Sequence, residues 1–214
     1  MQARRRAIKG LYAITPDELD TAILMQQVEQ ALRGGAAVLQ YRNKLADAPL
    51  RLKQAAALRD MARELGVTFI VNDDVQLALQ VSADGVHLGA EDGDIAAART
   101  LLGRDRLIGA SCYNRAPLAA EVVRQGADYV AFGAFFPSSV KPGAVAAEVS
   151  MLQSVRRELK VPIVAIGGIS VENGRQLVAA GADALAVISA LWQSPDIAQA
   201  AKDFSQLFEQ GNPA

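Results

Sequence analysis

Short apolar runs alternate along this chain with longer segments whose apolar residues recur at helical spacing. Each run is nearly all apolar, which is typical of a strand that is buried on both faces of a parallel sheet. Eight strands are predicted, at residues 10–15, 36–42, 68–73, 85–89, 106–112, 129–136, 162–169 and 184–191.

The segments between these runs predict helices, and glycine ends several of them, as it does where a helix terminus turns left-handed. The first helix opens at Pro16-Asp17-Glu18 and ends at Gly34-Gly35. The others are predicted at residues 48–65, 75–79, 95–102, 115–125, 150–159, 171–180 and 195–208.

Eight successive strand–helix units predict an α/β protein of the (β/α)8 class, a TIM barrel. A chain of 214 residues suits one such domain and is short for two, so residues 1–214 are predicted to form a single domain with a flexible tail at 1–9. Gly-Ala-Asp turns at 126–128 and 181–183, and the variant Ser82-Ala83-Asp84, precede strands in the same way, as expected of repeated units. A doubly wound open sheet is the alternative.

Composition narrows the classes of partner. The chain has 22 basic and 23 acidic residues and a net charge of −1, so the sequence predicts neither a nucleic-acid partner nor a membrane surface. No run approaches the ~20 apolar residues of a membrane span. The single cysteine, Cys112, excludes a disulfide within the chain and predicts a reducing cytoplasm. The oligomeric state stays open, with a homo-oligomer among the outcomes.

Acidic residues follow the third and fourth predicted strands. Asp73 and Asp74 come directly after strand three, and Asp92 follows strand four. Neighbouring parallel strands end on one face, so Asp73 and Asp92 are expected side by side. Mg²⁺ prefers one or two carboxylates together with substrate phosphates, which makes this pair a candidate magnesium site. The alternative is that Asp73 or Asp74 caps a helix.

Basic side chains gather at the end of strand two. Side chains alternate along a strand, so Gln40 and Arg42 share one face, with Lys44 just beyond. A guanidinium and an ammonium so close together suit a phosphate-rich ligand, and the alternative is a surface ion pair.

Four further strand ends suit an anionic ligand. Ser111 lies near the end of strand five, and Gly109 leaves room on the same face. The loop after strand six carries hydroxyls and Lys141. Glycines 167–168 after strand seven, together with the end of strand eight, form the place where barrels usually bind phosphate through backbone N–H groups.

Triad hydrolysis and zinc chemistry are not indicated, because the chain has one histidine and one cysteine. His87 lies inside strand four, where a hydrogen-bonded interior side chain is favoured over a general base.

Seven motifs in order resemble the thiamine phosphate synthase family, over residues 11 to near the C-terminus. They are QYRNK at 40–44, VNDD at 71–74, ADGVHLG at 83–89 with Asp92, GAS at 109–111, FFPSSVK at 135–141, AIGGI at 165–169 and GADALAVISA at 181–190. The resemblance implies a transferase that joins 4-amino-2-methyl-5-(diphosphooxymethyl)pyrimidine to a thiazole phosphate, forms thiamine phosphate, releases pyrophosphate and uses Mg²⁺.

The resemblance also implies the site residues. The pyrimidine diphosphate would be held by Gln40, Arg42, Lys44, Asn72, Ser111 and Lys141. The catalytic candidates among them are Arg42, Lys44, Ser111 and Lys141. The thiazole phosphate would be held by Ser138, Ser139, Gly168, Ile188 and Ser189, and Mg²⁺ by Asp73 and Asp92. Tyr41, Asn43 and Val140 are further predicted substrate-binding residues.

Two positions depart from the family pattern. Ala90 stands where the family commonly has glutamine, and Val140 stands where it has a second loop hydroxyl. These changes leave open a non-catalytic relative that binds thiamine precursors. A second alternative is a thiazole tautomerase of the same superfamily, which needs neither diphosphate nor metal and is disfavoured because Asp73, Asp92, Arg42 and Lys141 are retained.

Overall fold

Eight parallel strands close into a barrel in a computed structural model of the chain, which describes residues 7–89, 94–137 and 146–209. Each strand pairs with its neighbours in chain order, and the eighth pairs with the first. The prediction of a (β/α)8 barrel is confirmed, and the open-sheet alternative is wrong because the sheet has no free edge.

The elements follow the predicted order. The strands are β1 Gly10–Ile14, β2 Val38–Tyr41, β3 Thr68–Asn72, β4 Gly85–Leu88, β5 Leu107–Tyr113, β6 Tyr129–Phe132, β7 Ile163–Ile166 and β8 Ala184–Val187. The helices are α1 Thr21–Arg33, α2 Ala48–Glu64, α3 Val75–Gln80, α4 Ile95–Leu102, α5 Ala116–Gln125, α6 Val149–Glu158, α7 Val171–Ala179, α8 Ser189–Trp192 and α9 Ile197–Glu209.

Four predicted boundaries are wrong by three residues or more, among them the end of strand seven, which lies at Ile166 and not at residue 169. The first helix begins at Thr21, not at Pro16, because the Asp20 side chain caps it by accepting from the N–H groups of Ala22 and Ile23. Strand six ends at Phe132 although the apolar run continues. Strand eight ends at Val187, and the rest of its apolar run forms the short helix α8. Apolar runs of this length do not distinguish a buried strand from a strand followed by a helix turn.

Side chains that alternate along the strands form two apolar layers. The outer layer lies between the strands and the helices. The barrel interior is filled by Ile8, Tyr12, Ile14, Val38, Ile70, Tyr129, Ala131, Val164, Ala184 and Ala186. Ile8 is only 4% exposed, so the predicted tail at residues 1–9 is too long; residues 1–6 lie outside the described part.

The repeated Asp turns anchor the face of the barrel where the strands begin. Asp84, Asp128 and Asp183 each precede an even-numbered strand and accept from an N–H group of the strand before it: Phe69 at 2.9 Å, Ile108 at 2.7 Å and Ile163 at 2.7 Å. Arg99 and Arg156 add ion pairs to Asp128 and Asp183. These aspartates are thus stabilising groups at the opposite end of the barrel from the predicted site.

Within the described ranges, no helix combines the length and the apolar composition that a membrane crossing requires.

We expect Asp183→Ala to lower the free energy of unfolding by about 2–3 kcal/mol, because it leaves the N–H of Ile163 without its acceptor and Arg156 without its carboxylate. The matched control is Asp60→Ala, which removes an exposed carboxylate paired with Arg59 and should cost less than about 1 kcal/mol. Urea unfolding measures both values. Equal effects would contradict an anchoring role for the turn.

Candidate active site

A cleft of about 720 Å³ opens over the ends of β2 and β3. Its walls include the predicted residues Tyr41, Arg42, Asn43, Lys44, Asn72 and Asp73. The closed barrel therefore places the predicted basic stretch and one predicted metal ligand around one opening. It does so because adjacent parallel strands end on the same face.

The inward positions of four consecutive strands are polar near the cleft. They are occupied by Gln40 on β2, Asn72 on β3, His87 on β4 and Ser111 on β5. Gln40 is only 3% exposed and its Nε2 donates to Oδ1 of Asn72 at 2.6 Å. Asn72 lines the cleft, and the other three continue this polar group into the barrel interior as a hydrogen-bonded amide, an imidazole and a hydroxyl.

Arg42 is held by an aspartate that sequence analysis placed in a helix. Its Nη1 donates to both carboxylate oxygens of Asp17, each at 3.0 Å. The same carboxylate accepts from the N–H of Lys44 at 2.7 Å. The predicted alternative of an ion pair for Arg42 therefore exists in the structure, although the guanidinium also lines the cleft. The signal for Asp17 was its place directly after the end of strand one.

The side chains of Tyr41 and Asn43 are anchored outside the barrel interior. Tyr41 donates to Gln54 Oε1 at 2.9 Å, and burial raises its pKa to about 12. Asn43 donates to the carbonyl of Glu18 at 2.7 Å and accepts from the N–H groups that follow it. Both residues shape the loop that presents Arg42 and Lys44, and their predicted contact with substrate stays a prediction.

The two aspartates after β3 have different partners. Asp74 caps α3, since its Oδ1 accepts from the N–H of Leu77 at 2.8 Å. Asp73 has a positive φ of 62° and accepts from the side-chain amide of Asn72. A left-handed non-glycine residue is strained, and such residues concentrate at functional sites. The helix cap is therefore Asp74, which leaves the Asp73 carboxylate at the cleft.

Ser111 and His87 face each other inside the barrel. The Ser111 hydroxyl lies 3.0 Å from Nε2 of His87, and Nδ1 of His87 lies 3.2 Å from the Tyr129 hydroxyl. The prediction of a hydrogen-bonded interior histidine is confirmed. Cys112 points to the outer layer, where burial raises the pKa of its thiol to about 12 and keeps it protonated.

The predicted phosphate side lies at the ends of β7 and β8. Gly168 has a φ of +62°, and a Cβ on it would lie 2.4 Å from the carbonyl oxygen of Pro137, so only glycine fits. Ile188 and Ser189 lie at the start of α8, directly after β8. Because β7 pairs with β8, these three predicted residues stand at neighbouring strand ends.

Several predicted residues lie outside the described part of the chain. They are Asp92, Ser138, Ser139, Val140 and Lys141, together with the departure at Ala90. Within the described part, no group of three or more histidine, cysteine, aspartate or glutamate side chains is arranged to hold a metal. Asp73 alone still suits Mg²⁺, which takes few protein carboxylates and completes its shell with water and phosphate oxygens.

Comparison with known proteins finds related sequences along almost the whole chain. Residues 11–191 match the family model described as thiamine monophosphate synthase. The thiamine-phosphate synthase of Methylobacillus flagellatus is 56% identical over 201 residues, which cover 94% of this chain and 96% of that protein. The thiamine-phosphate synthase of Aromatoleum aromaticum is 54% identical over 202 residues, 94% of this chain and 97% of that protein.

Solved structures agree with these sequence matches. Thiamine phosphate pyrophosphorylase from Pyrococcus furiosus is 36% identical and superimposes with a TM-score of 0.86 over 97% of this chain and 98% of that one. A 3-hexulose-6-phosphate synthase, 20% identical with a TM-score of 0.71 over 94% of this chain and 99% of its own, shares the fold alone. The extent of these matches shows that the chain belongs to the thiamine monophosphate synthase family.

Proposed function

We propose that this enzyme joins the pyrimidine diphosphate to a thiazole phosphate, forming thiamine phosphate and pyrophosphate. The observation that carries the proposal is that Arg42, Lys44, Asn72 and Asp73 line one cleft. Cationic groups and a carboxylate around one opening suit a diphosphate with a hard cation. The relatives that are more than half identical to this chain bear the name of this activity.

The chemistry requires charge neutralisation more than proton transfer. The electron-rich pyrimidine methylene can lose pyrophosphate before the thiazole nitrogen attacks, through a carbocation-like state. Negative charge then grows on the leaving group, and Arg42 and Lys44 at the rim stabilise it, with Lys141 as a further candidate. Asp17 keeps Arg42 in place until the diphosphate oxygens compete for the guanidinium.

Mg²⁺, when bound, would neutralise further charge on the leaving diphosphate. Asp73 suits it because Asp74 takes the helix cap and Asn72 orients the Asp73 carboxylate. Asp92 is the second proposed ligand. The hydrogen bonds of His87 to Ser111 and Tyr129 agree with a reaction that needs no general base.

The two alternatives use the cleft differently. A thiazole tautomerase needs no site for a diphosphate or a metal, so the cation-lined cleft beside Asp73 favours the synthase. A precursor-binding relative would bind both substrates without turnover. We place the enzyme in the cytoplasm, where its single cysteine stays reduced.

Pyrophosphate release tests the reaction. With both substrates and Mg²⁺, we expect stoichiometric pyrophosphate and thiamine phosphate, and strong suppression by a chelator. Omitting the thiazole phosphate should stop the formation of thiamine phosphate. Isomerisation of a thiazole substrate without Mg²⁺ would instead identify the tautomerase, and binding of both substrates without product would identify the non-catalytic relative.

Asp73→Asn should lower kcat/KM roughly 100-fold, or ~2.7 kcal/mol of transition-state stabilisation, and raise the Mg²⁺ concentration that half-saturates the enzyme. Asparagine tolerates a positive φ, so the fold should persist. Asp74→Asn is the matched control: it removes the neighbouring charge, still caps α3 and should keep its activity. Equal losses in the two variants would place the metal elsewhere.

Arg42→Lys keeps the charge but loses the planar fork that pairs with Asp17 and suits a diphosphate. The KM for the pyrimidine diphosphate should rise about tenfold, equivalent to ~1.4 kcal/mol. Arg33→Lys, in an exposed ion pair with Glu29 on α1, should leave that KM unchanged. A wild-type KM for Arg42→Lys would reduce Arg42 to a surface ion-pair partner.

A further inference from the structure

A continuous series of hydrogen bonds crosses the barrel interior from Ser111 to Asp73. It links Ser111 Oγ to His87 Nε2 at 3.0 Å, His87 Nδ1 to the Tyr129 hydroxyl at 3.2 Å, the Tyr129 hydroxyl to the Tyr12 hydroxyl at 2.9 Å, the Tyr12 hydroxyl to Gln40 Oε1 at 2.7 Å, Gln40 Nε2 to Asn72 Oδ1 at 2.6 Å, and Asn72 Nδ2 to Asp73 Oδ2. We refer to these seven residues as the interior chain.

The two tyrosines at its centre are fully enclosed. Tyr12 is 1% exposed and Tyr129 is 0% exposed, in a layer that is otherwise aliphatic. Burial raises the pKa of both phenols far above the usual range, so each keeps its proton. A Cβ on Gly109 would lie 2.0 Å from the Tyr129 ring, so glycine at this position of β5 leaves the space that the ring occupies. Burying a hydroxyl costs free energy unless it makes a hydrogen bond, so the hydrogen-bond partners of these two tyrosines stabilise the fold.

The direction of the first three bonds follows from Asp73. A carboxylate only accepts, so Asn72 turns its NH₂ group to Asp73 and its oxygen to Gln40. Gln40 must then donate from Nε2 and present Oε1 to Tyr12. The Tyr12 hydroxyl therefore gives its single proton to Gln40.

The same reasoning carries on to the other end. The Tyr12 hydroxyl donates its only proton to Gln40, so it accepts a hydrogen bond from Tyr129. Tyr129 donates its only proton to Tyr12 and can therefore only accept from Nδ1 of His87. Nδ1 must carry the imidazole proton. In neutral His87, Nε2 is then an acceptor, and it takes the hydroxyl proton of Ser111.

We propose that Tyr12 and Tyr129 are positioning residues that transmit the orientation set by Asp73 to His87, fixing its Nδ1-protonated tautomer and committing the Ser111 proton to Nε2. This rests on the proposed function where Ser111 contacts substrate: its oxygen meets the ligand as an acceptor. An amino group on the pyrimidine suits such an oxygen, and a ring carbonyl does not.

The chain has one histidine, so its tautomer is measurable without ambiguity. Uniformly ¹⁵N-labelled protein without a histidine tag is studied at about pH 8, above the usual histidine pKa of ~6.5. We expect the Nδ1 shift typical of a protonated ring nitrogen and the Nε2 shift typical of an unprotonated one. The reverse pattern would overturn the proposal.

Tyr12→Phe tests whether the orientation set by Asp73 reaches His87 through Tyr12, because Tyr12 makes no hydrogen bond to His87 itself. The Tyr129 hydroxyl then lacks its acceptor, and its proton is satisfied by donation to Nδ1, which moves the imidazole proton to Nε2. We expect the ¹⁵N shift of Nε2 to become typical of a protonated ring nitrogen and that of Nδ1 to become typical of an unprotonated one, wholly or in large part. Tyr41→Phe removes the hydroxyl of another buried tyrosine, outside the interior chain, and should leave the tautomer as in the wild type.

Gln40→Met gives a second route to the same result if Tyr12→Phe does not fold. It removes the acceptor of Tyr12, whose proton can then point to Tyr129 and force Tyr129 to donate to His87. A wild-type tautomer in a folded Tyr12→Phe or Gln40→Met variant would overturn the role of the tyrosines.

Kinetics separate positioning from simple packing. Tyr12→Phe should raise the KM for the pyrimidine diphosphate about tenfold and leave the KM for the thiazole phosphate unchanged. Equal changes in both would indicate a general packing defect and contradict the proposal. The NMR measurements need no substrate, so they test the interior chain independently of activity. A protein without activity that shows the expected tautomers would contradict the proposed reaction and still support the proposal for the interior chain.

Discussion

Closure of the parallel sheet is the constraint on which the rest of this structure depends. In this closed barrel every strand bonds two neighbours in parallel, and all eight strands therefore begin on one face and end on the other. Side chains alternate between a central layer and an outer layer beneath the helices. Polar side chains of the strands can therefore collect only at the two ends of the barrel, or inside it as members of a hydrogen-bonded set.

The two mouths use aspartate for opposite purposes. Where strands begin, Asp128 and Asp183 accept backbone N–H groups and pair with arginines, which ties successive units together. Where strands end, Asp17 holds Arg42 in place and Asp73 has a strained backbone at the cleft. The aspartates that stabilise the fold and the aspartates at the cleft thus lie at opposite ends of the strands.

On one side of the barrel, polar residues also occupy the interior. Gln40, Asn72, His87 and Ser111 replace apolar residues at inward positions of β2 to β5. Gln40 and His87 are buried, at 3% and 8% exposure, and tyrosines from β1 and β6 complete their hydrogen bonds. Gly109 makes the room that the ring of Tyr129 requires. The polar interior beside the cleft is held by hydrogen bonds whose directions depend on one another.

Sequence pattern alone determined the barrel, the order of its units and most of the polar residues at the cleft. It did so because buried parallel strands are nearly all apolar, so a charge or an amide at their ends stands out. QYRNK and VNDD were recognisable for this reason, and the structure places both around one cleft.

Only the tertiary structure decided which neighbour each polar group has. The pattern could not choose between Asp73 and Asp74 as the cap of α3, because both positions precede the helix and the choice depends on backbone dihedrals. It placed Asp17 in a helix, whereas closure of β1 against β2 brings that carboxylate to Arg42. Tyr12 and Tyr129 lie in predicted buried strands, but they are 117 residues apart in sequence, and the hydrogen bond between them forms only when the barrel closes.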